Sequence, residues 1–301
     1  MTPNDETTAG AASPGAQPQV DPQLLDTLWD FDDPAASEQR FRAALGPPAT
    51  AEAELRTQLA RAIGLQGRYD EATAELDAVD SDSADGGLPN RIVGIRLALE
   101  RGRVLNSSGD PAASIRLFAE ALAAAESAGE DFLAVDAAHM LAIADRDRAE
   151  HWTNLALRMV AHSQDPRTQR WAGSLHNNAG WARLDAGDFA TALAEFQAAQ
   201  ASYAVTGTVE QVRVAQWAVA RALRSLARFE EALAIQHRLA EHGQPDGYVQ
   251  EELAELLLAT GQPDEARRHA QRAVELLGGD SRFAEYESGR LERLRRIAEH
   301  G

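Results

Sequence analysis

Along most of the chain, apolar and small residues return at three- and four-residue intervals, the spacing of one helix face rather than the alternation of a strand. Turn residues interrupt these runs every ten to twenty positions, so the pattern predicts a series of amphipathic helices joined in pairs. Two of the helix openings are near copies, "DPAASEQRFRAAL" at 33–45 and "DPAASIRLFAEAL" at 110–122, 77 residues apart. In both, the aspartate suits a helix N-cap and the proline the first turn. An internal duplication therefore lies at the root of the chain.

The same opening recurs, less strictly, as "GRYDEATAELDAV" (67–79), "GDFATALAEFQAA" (187–199), "ARFEEALAIQHRL" (227–239) and "GQPDEARRHAQRA" (261–273). Gly67, Gly109, Gly187 and Gly261 are placed to end one helix in a left-handed conformation, with a small residue five positions later in the next. Around residues 171–199 the set is Gly180, Gly187, Ala192, Phe196 and Ala199. This combination resembles the tetratricopeptide repeat. Taking the small residue of each second helix as marker gives Ser37, Ala72, Ser114, Ala149, Ala192, Ala232 and Ala266, spaced by 35, 42, 35, 43, 40 and 34 residues. These spacings bracket the roughly 34-residue period of that family. The register at Ala149 is the least defined, because its turn, "ADRDRA", has no glycine.

The resemblance implies an all-α, right-handed superhelical solenoid of about seven repeats over residues 21–281, whose first helices line a concave groove. A polar capping helix is expected over 282–301 and a disordered leader over 1–20. The acidic stretch 80–90 is expected to be a mobile loop; as a calcium loop it fails, with Ala84, Asp85 and Arg91 at the fifth, sixth and twelfth positions.

Composition narrows the function. With 47 acidic against 29 basic residues, the formal charge is −18, which opposes binding to nucleic-acid phosphates. Cysteine is absent and every basic residue is arginine, so thiol nucleophiles, thiolate zinc sites, Walker-type lysines and Schiff-base lysines are excluded. No apolar run reaches the length of a membrane span, and the expected location is cytoplasmic. No catalytic constellation, cofactor motif or helical zinc signature stands out, and a non-catalytic protein with no cofactor is expected.

The resemblance places on the groove Ser174, Asn177 and Trp181; Trp217, Arg221 and Arg224; and Tyr248, Glu251 and Glu255. From earlier repeats it places Glu54, Thr57 and Arg61; Arg96, Glu100, Arg103 and Asn106; and, in an open register, Asp136 and His139. Flat aromatics mixed with asparagine and arginine suit recognition of a peptide or protein segment, and the arginines suit an anionic group on it. On this reading Trp181, Trp217 and Tyr248 give aromatic contact, Arg221 and Arg224 grip the anion and Asn177 orients backbone. In the competing structural reading, the tryptophans pack between repeats and the arginines pair with Glu100, Glu251 and Glu255. Two further readings stay open: a sensor of a small anionic ligand or signalling peptide, and a metal-dependent hydrolase around Asp136 and His139.

Overall fold

The computed structural model describes residues 20–85, 90–242, 244–279 and 281–300, and among them the regular structure is helical throughout. The chain divides into two compact units, with the boundary between Met159 and Val160.

In the first unit, α1 (Pro22–Leu28) and α2 (Pro34–Ala44) precede α3 (Ala49–Gly64) and α4 (Tyr69–Asp85), then α5 (Arg91–Ser108), α6 (Pro111–Ala128) and α7 (Asp131–Ala144). The duplicated aspartates cap as expected: Asp33 accepts from the Ala36 N–H at 2.9 Å and Asp110 from the Ala113 N–H at 3.0 Å. α3 packs on α4, α5 on α6, and α3, α5 and α7 lie side by side. A core of Leu25, Phe41, Leu59, Ile63, Leu76 and Val93 joins the first elements. The helix α8 (Ala149–His162) runs across the boundary between the units.

In the second unit, α9 (Pro166–Gln169) leads into α10 (Trp171–Asp185) and α11 (Phe189–Thr206), then α12 (Val209–Ser225) and α13 (Phe229–Glu241), and α14 (Gly247–Ala259) and α15 (Pro263–Leu277). The terminal segment is two helices, α16 (Ser281–Tyr286) and α17 (Ser288–His300), rather than one. Leu291, Leu294 and Ile297 of α17 close the core formed by α14 and α15, as a capping element must.

Close packing explains the small residues. A Cβ on Gly102 would stand 2.5 Å from the Phe118 ring, and one on Gly180 would stand 2.5 Å from Phe196. Each phenylalanine thus occupies the space a side chain in the facing helix would need. The markers Ser37, Ala72, Ser114, Ala192, Ala232 and Ala266 are all fully buried and each is the fourth residue of its helix. Ala149 is not: it is the first residue of α8 and half-buried, preceded by a tight 3-10 turn at Arg146–Arg148. The fully buried small residue of α8 is instead Ala156, so Ala149 does not hold the marker's place.

Two boundaries also move. α4 continues through Asp85, because its helical ladder runs on past Val79, so the first half of the expected 80–90 loop is helix; residues 86–89 lie outside the described residues. The leader expected over 1–20 lies outside them too, except Val20, which is buried and donates its N–H to Glu54 Oε2 at 3.0 Å.

Candidate functional site

In the second unit the first helices of successive hairpins bring a strip of rings together. Trp181 of α10 and Trp217 of α12 have centroids 5.8 Å apart, Trp217 and Tyr248 of α14 are 5.9 Å apart, and Tyr248 and Phe283 of α16 are 5.7 Å apart. The Trp217 indole donates its N–H to the Tyr248 carbonyl at 3.1 Å, which fixes the ring's tilt. Trp181 and Trp217 are half-buried against the cores on either side, while Tyr248 is 40% exposed. Packing and presentation to solvent are therefore shared by the same rings. Beside them, Trp217, Tyr248, Val214, Leu239 and Val249 line a cavity of about 290 Å³ whose rim carries Glu210, Arg213 and Asp246.

The two arginines expected on this groove, Arg221 and Arg224, do not stand open. Arg221 donates to Glu252 Oε1 at 3.0 Å, and Arg224 donates to the same carboxylate through Nε at 2.7 Å and Nη2 at 3.0 Å. Glu252 is fully buried, so both charges are committed to it. Arg221 also lies 5.8 and 5.6 Å from the centroids of Trp181 and Trp217, and so braces the two indoles. Glu251 is buried and held by Arg290 at 2.5 and 2.9 Å, and Glu255 is held by Arg293. The carboxylates that take these arginines are thus neighbours on α14, and α17 supplies two of the cations.

Asn177 sits one helical turn before Trp181, on the same face. Its Oδ1 is buried and meets no donor. Ser174 is engaged internally, with its hydroxyl 3.2 Å from that of Tyr203, and Asn178 is exposed.

In the first unit the residues expected on the groove form a ladder of ion pairs across α3, α5 and α7. Glu54 accepts from Arg96 at 2.9 Å, and Arg103 donates to Glu100 and to Asp136, each at 2.5 Å. The Arg103 guanidinium stays below the surface, and although burial alone would lower its pKa, the two carboxylates raise it above the ordinary arginine value. His139 is half-buried on α7, and burial pulls its pKa below the usual histidine range against the opposing charge of Asp136. Asp136 is bound to Arg103, and among the described residues no group of three His, Cys, Asp or Glu is placed to hold a metal ion. Arg61 differs from the rest. Its guanidinium lies 5.3 and 5.2 Å from the centroids of Trp29 and Phe31, two rings stacked on each other 4.6 Å apart.

No family model matches the chain, and no curated protein does so. Solved structures do. A signal-transduction ATPase with numerous domains from Pyrococcus horikoshii, which carries a tetratricopeptide repeat sensor, aligns at 10% identity over 87% of this chain and 42% of its own, with a TM-score of 0.67. The apo form of the quorum sensor NprR from B. thuringiensis aligns at 13% identity over 90% of this chain and 78% of its own, with a TM-score of 0.60. NprR in complex with its cognate peptide NprX aligns at 12% identity over 93% and 84%, with a TM-score of 0.52. The chain has the tetratricopeptide-repeat fold.

Within the tetratricopeptide-repeat hairpins, sequence reasoning identified Trp181, Trp217, Tyr248 and Asn177 as neighbours on one face, and the ring distances bring the three aromatics together. It missed Glu252, Phe283, Arg290 and Arg293. A signal for the last two was present: Arg290 and Arg293 repeat at three-residue spacing opposite Glu251 and Glu255 at four, a charge match between facing helices. It also missed Trp29 and Phe31, which lie ahead of the hairpin that carries Arg61. Among the described residues, no helix is long and apolar enough to cross a membrane.

Proposed function

We propose that this protein is a peptide-binding repeat module and that its second unit seats an extended segment along Trp181, Trp217 and Tyr248, with no catalytic step of its own. The observation that carries this reading is the continuous ring strip beside an apolar cavity of about 290 Å³, with the unpaired Oδ1 of Asn177 one turn away. Rings supply flat apolar area at low entropic cost, the cavity takes one apolar side chain, and Asn177 accepts a backbone N–H. Peptide recognition by NprR, which shares the fold, supports the reading. Because Arg221 and Arg224 are committed to Glu252, and Arg221 alone braces the two indoles, an anionic group on the ligand is not required for binding. With Arg213 beside Glu210, the rim of Glu210, Arg213 and Asp246 keeps one net negative charge, which favours a neutral or basic residue next to the apolar one. A scaffold role in the cytoplasm, away from nucleic acid, goes with the formal charge of −18.

Panning a displayed random peptide library on the purified protein tests this. Sequences with a large aliphatic or aromatic residue should be enriched, and Trp217→Ala should weaken the selected peptides by about tenfold or more. Tyr248→Ser, at an exposed ring, serves as the variant least coupled to folding. Peptides that bind both variants as tightly as wild type would overturn the assignment.

A further inference from the structure

A second cavity, of about 280 Å³, opens in the first unit between α3, α5 and α7, and Arg61, Leu65, Tyr69, Glu100, Val104 and Met140 contribute to its wall. Of its three charged groups, Arg61, Glu100 and Arg103, the first two are incompletely used. The Arg61 Nε is buried without an acceptor, and its guanidinium rests on Trp29 and Phe31 instead of a carboxylate. Arg96 and Arg103 on the neighbouring helix are by contrast fully engaged by Glu54, Glu100 and Asp136. Glu100, 1% exposed, spends Oε1 on Arg103 and leaves Oε2 buried with no donor. One wall therefore offers a charged donor and another a charged acceptor, each costly to bury unmet.

The charge balance selects the ligand. Glu54, Glu100 and Asp136 cancel Arg61, Arg96 and Arg103, so a lone anion or a lone cation would leave the buried cluster with a net charge. A molecule carrying both charges leaves it neutral. The remaining wall, Leu65, Tyr69, Val104 and Met140, is largely apolar, and the volume falls just below the range of about 300–1,000 Å³ that holds drug-sized molecules. We propose that this cavity binds a free α-amino acid with an apolar side chain, its carboxylate on Arg61, its ammonium group on Glu100 Oε2 and its side chain against Leu65, Tyr69 and Met140.

Calorimetric titration of the full chain with L-leucine, alongside N-acetyl-L-leucine and L-leucinamide, tests the assignment. Leucine should bind and raise Tm, and each blocked analogue, lacking one charge, should bind about ten- to a hundredfold more weakly. Arg61→Gln should weaken leucine by a similar factor. Because Arg61 also braces two rings, Leu65→Asp provides a second variant at a wall position 53% exposed, where folding is least at stake; it should cost about tenfold or more. Trp217→Ala, in the other unit, should leave leucine binding unchanged, which separates this site from the peptide site. No binding of leucine or methionine, equal binding by N-acetyl-leucine, or undiminished binding by Arg61→Gln would each overturn the proposal.

Discussion

Gln236 stands four residues after Ala232, where four other hairpins place Phe41, Leu76, Phe118 and Phe196 after their own small markers and the last places Ala270. It is fully buried, yet neither its Nε2 nor its Oε1 has a hydrogen-bond partner. An amide in a wedge built for a ring or an aliphatic chain forfeits its hydration without return, so Gln236→Leu should stabilise the protein by about 1–3 kcal/mol, measured as a higher urea midpoint. Ala227 is the second such site. The turns at Gly67, Gly109, Gly187 and Gly261 use positive φ, and Ala227 takes the same conformation at φ 55° with a Cβ in place. Left-handed backbone costs an L-residue about 1–2 kcal/mol, so Ala227→Gly should stabilise the protein by roughly 0.5–1 kcal/mol net of the added chain entropy of glycine, read as a higher Tm. Both deviations could be read directly from the aligned repeats, because they concern local backbone and a position already known to be internal.

Between elements, charge does more than the sequence pattern suggests. α5 and α7 are joined by Arg103 and Asp136, α12 and α14 by Arg221, Arg224 and Glu252, and α14 and α17 by Arg290 and Arg293 with Glu251 and Glu255. Burial raises the pKa of Asp136, but Arg103 and Arg61 nearby, with the hydrogen bond from Arg103, outweigh it and hold the carboxyl below its ordinary value of 3.8. A carboxyl depressed in the folded state stabilises fully above its unfolded pKa and loses that contribution as pH falls through the folded one. Acid melting below pH 3.8 should therefore include an Asp136 component, and Asp136→Asn should both flatten that part of the Tm profile and cost about 2 kcal/mol at neutral pH. The pairing of these groups was only half legible. The family resemblance placed Arg221, Arg224, Glu251 and Glu255 on one groove, but which carboxylate received which guanidinium depended on the register between helices, and Glu252, one residue further round α14, took both.

Over the whole molecule, 47 acidic and 29 basic residues leave a formal charge of −18, and much of the basic complement is already bound in the ion pairs between helices. Self-repulsion should then be the dominant long-range electrostatic cost, so raising salt from about 0.01 to 0.15 M should increase Tm, since surface charges are screened and buried pairs are not. A flat or falling Tm would mean that exposed pairs outweigh the net repulsion. The hairpins, their caps, their left-handed glycines and the small residues facing Phe118 and Phe196 were determined by the sequence alone, because each rests on contacts within one turn or one helix period. Spacing along a helix likewise put Asn177 and Trp181 on one face. Only the tertiary structure decided that Arg221 and Arg224 are spent on Glu252 while Arg61 is left to two rings, and that α4 runs on to Asp85. Charges on a helix face specify that pairing can occur; the distance and register between helices decide which pairs form and which charge is left over.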